Sequence, residues 1–327
     1  MKTLKILFAG SPEIAVPSLM AISEIELAGG PAALAGVLTN PDSKKGRHGK
    51  EEPTDVSAAS YALDAVRMAK GLPALPQLKF AKLDSLAREA AAGLKADLLV
   101  SFAYGRIFGP RFLGLFPLGG INIHPSLLPK YRGASPIPAV ILAGERQTGI
   151  CIQKLAIEMD SGSILSEDAF DLSGRETTLS LGETVSRRAA LLLKELLLDY
   201  NINSMQGRPQ KGEAVYCREI KKEEGLIDWG KSAVQLDAQI RAFTPWPLSF
   251  TRLKNDTLFI LEAAPLQAAP LQAAPGTILG TDKKHGILVQ TGDGILACTR
   301  LQWQAKKAMD WKAFLNGARD FVEARLG

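Results

Sequence analysis

Short apolar runs alternate with amphipathic stretches across the first 200 residues, and that alternation constrains the fold more than any other feature. Leu4 to Ala9, Leu34 to Thr39 and Ala96 to Ala103 read as buried strands. Thr54 to Gly71, Leu83 to Leu94 and Leu179 to Tyr200 carry helical periodicity. Ser11-Pro12-Glu13 gives a cap, a first-turn proline and an early acid, so a helix is expected from there to Ile22. Strands alternating with helices imply a mostly parallel sheet covered on both faces, an α/β Rossmann-like domain. Thr148 to Leu155 and Ile164 to Phe170 are expected to extend the same sheet.

After Tyr200 the pattern changes. Residues 201–212 are rich in Asn, Gln, Gly and Pro and read as a linker. Beyond it, Leu258 to Leu261, Gly276 to Leu279, Gly286 to Gln290 and Gly294 to Leu301 are short strand-like runs split by turns such as Gly292-Asp293-Gly294. They predict a small β-barrel or sandwich. The expected organisation is therefore 1–200 as a catalytic domain, 201–212 as linker and 213–327 as a β-domain. A tandem Ala-Pro-Leu-Gln-Ala at 264–273 reads as a duplicated surface loop.

Several classes are disfavoured. The Gly10-Ser11-Pro12 turn lacks the further glycines of a dinucleotide fingerprint. The three cysteines form no CxxC pair and the three histidines no HExxH, so neither a metal site nor a disulfide framework is expected. A reducing cytoplasm follows as the natural compartment. The opening apolar run is too short for a signal-peptide core or a membrane span. The net charge of +5 is only a mild pointer to a polyanionic partner.

Chemistry concentrates in Gly120-Ile121-Asn122-Ile123-His124-Pro125-Ser126-Leu127-Leu128-Pro129-Lys130-Tyr131-Arg132-Gly133. Strand alternation points Asn122 and His124 to one face and Ile121 and Ile123 to the other. A lone histidine in an apolar strand is ordinarily a hydrogen-bonded core residue, but a second polar group on the same face demands a reason. An amide and an imidazole side by side suit an oxyanion developing at a carbonyl carbon. Asp160, in Ile157-Glu158-Met159-Asp160-Ser161-Gly162, is expected in a loop at the sheet end. There a carboxylate would hold the His124 ring protonated and pass protons.

These segments, with Phe8-Ala9-Gly10-Ser11-Pro12-Glu13, Ala103-Tyr104-Gly105 and Arg241-Ala242-Phe243-Thr244-Pro245-Trp246-Pro247, resemble the 10-formyltetrahydrofolate-dependent formyltransferases over nearly the whole chain. The resemblance implies a catalytic set of Asn122, His124 and Asp160. It also implies 10-formyltetrahydrofolate as co-substrate, contacted by Ser126, Leu127, Leu128 and Pro129, and no metal. It makes the C-terminal domain an OB-like β-barrel.

The acceptor amine must be chosen separately. Residues 39–50 carry four Lys/Arg against one Asp, which without the resemblance is as readily a solvated turn. Members that formylate methionine on initiator methionyl-tRNA carry a basic loop here. The resemblance makes Arg47 its key arginine, with Lys45 and Lys50 as phosphate contacts. Lys283, Lys284, Arg300, Lys306, Lys307 and Lys312 would then let the β-domain track tRNA, and Trp246 is expected to be packed rather than a base-stacking platform. The expectation is a monomeric enzyme of translation initiation. The rival is a formyltransferase acting on an amino sugar nucleotide, which also pairs this fold with a second domain.

Overall fold

The computed structural model describes residues 2–44, 49–200, 205–266, 273–318, 321–322 and 324–327. The chain divides into two compact units. The first comprises Met1–Pro136, Gln147–Phe170 and Gly182–Cys217, and the second Ile137–Arg146, Asp171–Leu181 and Arg218–Gly327.

Through the first half, the elements run β1 (Leu4–Ala9), α1 (Val16–Leu27), β2 (Ala32–Thr39), β3 (Ser43–Lys44), β4 (Glu51–Glu52), α2 (Asp55–Ala69), β5 (Gln77–Lys79), α3 (Ser85–Gly93) and β6 (Leu98–Ser101). Then come α4 (Pro110–Leu113), β7 (Gly120–His124), β8 (Arg132–Gly133), α5 (Pro136–Leu142), β9 (Gln147–Lys154), β10 (Ile164–Asp171), α6 (Thr178–Leu198) and β11 (Tyr216–Cys217).

Seven strands form one sheet in the order β10-β9-β7-β6-β1-β2-β5. The pairs β1–β2, β1–β6, β2–β5 and β6–β7 are parallel, while β7–β9 is antiparallel. The chain runs outward from β1 through β2 to β5 and then returns to β6 on the other side of β1. That reversal opens a crevice beyond the carboxyl ends of the strands, the usual ligand position in such sheets.

Apolar residues from the strands meet the helices. Leu7, Ala9, Leu38 and Leu99 are buried with Tyr104, Phe108, Phe112 and Phe116. These four rings, spaced four apart in sequence, step past one another at 5.3, 5.5 and 5.8 Å between centroids. Thr54 caps α2 through its hydroxyl and Asp84 caps α3 through its carboxylate.

One start signal misled. The helix begins at Val16 after a short 3₁₀ turn, and Ser11 caps nothing. Its hydroxyl instead accepts from the backbone and side-chain N–H groups of Asn40, both at 3.0 Å. A partner 29 residues away claimed the side chain that sequence assigned to a local cap.

In the second unit lie α7 (Ala233–Ala242), β12 (Ser249–Leu253), β13 (Asp256–Leu266), β14 (Ile278–Asp282), β15 (Gly286–Gln290), β16 (Ile295–Trp303), β17 (Met309–Asp310) and α8 (Trp311–Asn316). The strands run β12-β13-β16-β15-β14, with β17 pairing β16, and each pair is antiparallel. Ser232 and Gln235 form a capping box that starts α7. Leu236 and Ile240 of that helix are buried with Leu258, Ile260, Ile287, Val289, Leu296 and Leu301. The carboxyl-terminal tail spans the sheet's outer edges. Leu326 N–H donates to Gly276 at 2.9 Å, and Gly327 N–H to Arg252 at 3.0 Å.

The first copy of the repeat is not wholly a surface loop. Ala264, Pro265 and Leu266 lie in β13 opposite Ala297, Leu296 and Ile295. Since β12 pairs only as far as Ile260, no strand among the described residues lies beside the proline on that side, where its missing N–H costs nothing. Residues 267–272, the rest of the repeat but Ala273, lie outside the described residues. Trp246, expected to be packed, is 56% exposed.

Candidate active site

Asn122 and His124 sit at the carboxyl end of β7, and both reach Asp160 in the loop between β9 and β10. Asn122 Nδ2 lies 3.5 Å from Asp160 Oδ1, and His124 Nδ1 lies 3.5 Å from Asp160 Oδ2. The three residues singled out from sequence therefore converge. The fit is loose, because better donors already hold the carboxylate. Gly133 N–H donates to Oδ2 at 2.8 Å and Gln153 Nε2 to Oδ1 at 2.8 Å. Catalytic hydrogen bonds are often long in the absence of substrate.

His124 is almost fully buried, at 3% exposure. Its Nε2 is 2.8 Å from the Tyr131 carbonyl oxygen, an acceptor only, so that nitrogen carries a proton. Nδ1 is left facing Asp160. Burial pushes the imidazole below its ordinary value of 6.5 and outweighs the opposing pull of the Asp160 charge and the Tyr131 carbonyl. Burial therefore works against the expectation that Asp160 holds the ring protonated, and Nδ1 is the nitrogen whose protonation that carboxylate favours.

Backbone conformation builds the site. Tyr131 and Asp160 are left-handed, at φ of 59° and 52°. Gly133 has φ of 119°, and a Cβ there would run into the carbonyl oxygen of Cys217 on β11, which pairs with β8. A Cβ on Gly162 would strike the Lys154 carbonyl oxygen. Both glycines permit close approach of two chain segments that carry the site.

The Ser126–Pro129 stretch forms a tight turn beneath β7. Ser126 is fully buried, its hydroxyl donating to the Lys130 carbonyl at 2.6 Å and its N–H to that of His124 at 2.9 Å. Leu127 packs over Gly149, and Leu128 N–H points at Cys151 Sγ at 3.4 Å. Pro129 accepts from Val215 N–H at 3.2 Å. The donor set suits a formyl group: the Asn122 amide has N–H capacity that a single 3.5 Å contact to Asp160 leaves unspent.

Cysteine nucleophiles find no support here. Burial pushes the thiols of Cys151 and Cys298 up to about 12, and raises that of Cys217. Among the described residues no group of three or more His, Cys, Asp or Glu is placed to hold a metal ion. Among them, too, no helix is long and apolar enough to cross a membrane.

Sequence reading missed two glutamines. Gln153 lies on β9 directly opposite Asn122 and is only 1% exposed. Its signal was a polar residue inside an otherwise apolar strand. Gln210 falls in the segment read as linker, yet its amide reaches the Asp160 loop. Of the basic loop, Lys45 and Arg47 lie outside the described residues. Its base is closed by β3 pairing with β4, and Lys50 is exposed beside it. Lys283, Lys284, Lys306, Lys307 and Lys312 are all exposed, while Arg300 pairs with Glu262 at 3.2 Å.

Comparison with known proteins accords with this geometry. Residues 4–197 match the family model described as formyl transferase, and 219–319 match the formyl transferase C-terminal domain. The methionyl-tRNA formyltransferase of Treponema denticola is 48% identical, over 98% of each chain, and that of Borrelia hermsii is 35% identical, again over 98% of each. Among solved structures, HypX from Aquifex aeolicus in complex with tetrahydrofolic acid superposes with a TM-score of 0.60 at 16% identity, over 98% of this chain and 48% of that one. Methionyl-tRNA formyltransferase from Clostridium thermocellum gives 0.55 at 16%, over 81% of this chain and 95% of that one. With a matching N-terminal domain, a matching C-terminal domain and full-length relatives, the chain belongs to the formyl transferase family.

Proposed function

We propose that this protein transfers the formyl group of 10-formyltetrahydrofolate to the α-amino group of methionine on initiator methionyl-tRNA, for translation initiation. The observation that carries the reading is the end-to-end match, at 48% identity over 98% of each chain, with a protein named methionyl-tRNA formyltransferase. Sugar N-formyltransferases share the fold at 18% identity, a likeness of fold alone, so nothing comparable favours an amino sugar nucleotide acceptor.

The chemistry requires a neutral amine at a formamide carbon and a home for the charge that develops on oxygen. Asn122 supplies an N–H donor for that oxygen. His124, neutral and tethered through Nε2, takes on Nδ1 the proton that the amine nitrogen sheds as it bonds to the formyl carbon. Asp160, 3.5 Å away, then stabilises the imidazolium that forms. As the new C–N bond forms, the bond from the formyl carbon to N10 of the folate breaks. The proton that left the amine passes to N10, and no enzyme group is acylated. Ser126 to Pro129 form the wall proposed to face the folate.

Arg47 is the proposed key arginine of the tRNA-binding loop and Lys45 and Lys50 the proposed phosphate contacts, assisted by the exposed lysines of the second unit. The division into 1–200, 201–212 and 213–327 is offered as a functional partition, and a cytoplasmic monomer as the working state. The experiment offers the purified protein charged initiator methionyl-tRNA, free methionine and an amino sugar nucleotide with 10-formyltetrahydrofolate. Formylation should be confined to the tRNA; preference for the sugar amine would overturn the acceptor assignment.

A further inference from the structure

We infer that Gln210 is a positioning residue for formyl transfer, holding Asp160 at the place from which it serves His124. The inference rests on the proposed role of Asp160.

The Gln210 amide has only one orientation consistent with its neighbours. Its Oε1 faces Arg132 Nε at 3.1 Å and Nη2 at 2.7 Å, both donors only. Its Nε2 faces the carbonyl oxygens of Asp160 at 2.7 Å and Gly162 at 2.9 Å, both acceptors only. Nε2 also lies 3.3 Å from Gln153 Oε1. Gln210 thus touches the main chain of Asp160 and the one side chain, Gln153, whose amide holds the Asp160 carboxylate at 2.8 Å.

Arg132 is itself fixed. Its Nη1 donates to Tyr216 OH at 3.1 Å, and that hydroxyl donates to Glu158 Oε1 at 2.9 Å. The next residue, Gly133, gives its N–H to Asp160 Oδ2 at 2.8 Å. Both routes from Arg132, one along the chain and one through Gln210, therefore end on Asp160. The aspartate sits at φ of 52°, a conformation that persists only where its surroundings over-determine it. Gln210 supplies much of that determination from a segment 50 residues away in sequence.

The test uses the full chain with Gln210→Met, Gln210→Glu and, alongside, Asp160→Ala. Gln210→Met keeps the volume and removes every hydrogen bond. Gln210→Glu keeps the acceptor for Arg132 and loses the donor to the loop, and it decides the question if the methionine variant does not fold. Expected is a fall of about 100-fold in kcat, the scale of a misplaced reacting group. KM for 10-formyltetrahydrofolate and for the acceptor should stay within about twofold, and the pH–rate profile should be displaced, since the Asp160–His124 spacing sets it. A folded variant with wild-type kcat and an unmoved profile, while Asp160→Ala is inactive, would overturn the inference alone, as would a loss confined to KM. Undiminished turnover by Asp160→Ala would instead remove the reading on which the inference stands.

Discussion

His124 offers Asp160 its Nδ1 at 3.5 Å while its Nε2 is committed to the Tyr131 carbonyl at 2.8 Å. The ring is thereby oriented by the backbone, and its Nδ1 edge faces the Asp160 carboxylate. Burial disfavours the charged form of an imidazole fixed in this way.

That description predicts a pH dependence. Burial holds the folded-state value of His124 below 6.5, so the unfolded chain binds the proton more readily. Its contribution to stability is complete above 6.5 and is lost as pH falls from there through the lower folded-state value. The midpoint of denaturant unfolding should drop between about pH 7 and pH 5.5, and less so in His124→Asn. The C2 proton of His124, followed by NMR, should titrate below 6.5; a midpoint above it would refute the burial argument.

Asn122→Ala should remove an oxyanion donor and little else. Turnover is expected to fall by about 100- to 1,000-fold, or roughly 2.7–4 kcal/mol of transition-state stabilisation, with KM for the folate nearly unchanged. Steady-state kinetics against both substrates check this. A defect confined to KM would place Asn122 in ground-state binding instead.

Gly162→Ala should be worse for the site than its size suggests. The added methyl meets the Lys154 carbonyl and must push the Asp160 loop away from β9. A loss of about 1–3 kcal/mol in unfolding free energy is expected, the usual cost of forced overpacking, accompanied by loss of activity. Chemical denaturation measures the first; unaltered stability and turnover would show that the loop yields freely.

For the basic loop, Arg47→Ala should weaken use of the tRNA acceptor while sparing folate affinity. Each phosphate contact removed at Lys45 or Lys50 should lower the salt slope of tRNA binding by about one. Filter binding across a salt series gives that slope. A loss confined to folate affinity would contradict the assignment.

Much of this was legible because it is local. The alternation in Gly120–His124 is a property of five neighbouring residues, and Asn122 and His124 stand where period two puts them. Asp160 followed from one loop between two recognisable strands. What escaped was non-local. Ser11 looked like a cap until Asn40 claimed it, and Gln210 looked like linker because Gln, Gly and Pro composition describes a segment's flexibility, not its destination. The burial that opposes a charge on His124 escaped because a nearby aspartate can be read from sequence, whereas burial is a property of the packed chain.

The most direct test of the central claim is single-turnover formylation of initiator methionyl-tRNA by His124→Ala, with folate binding measured in parallel. Loss of the base should slow transfer by about 100- to 10,000-fold and leave 10-formyltetrahydrofolate affinity near the wild-type value. Transfer at the wild-type rate would contradict the account.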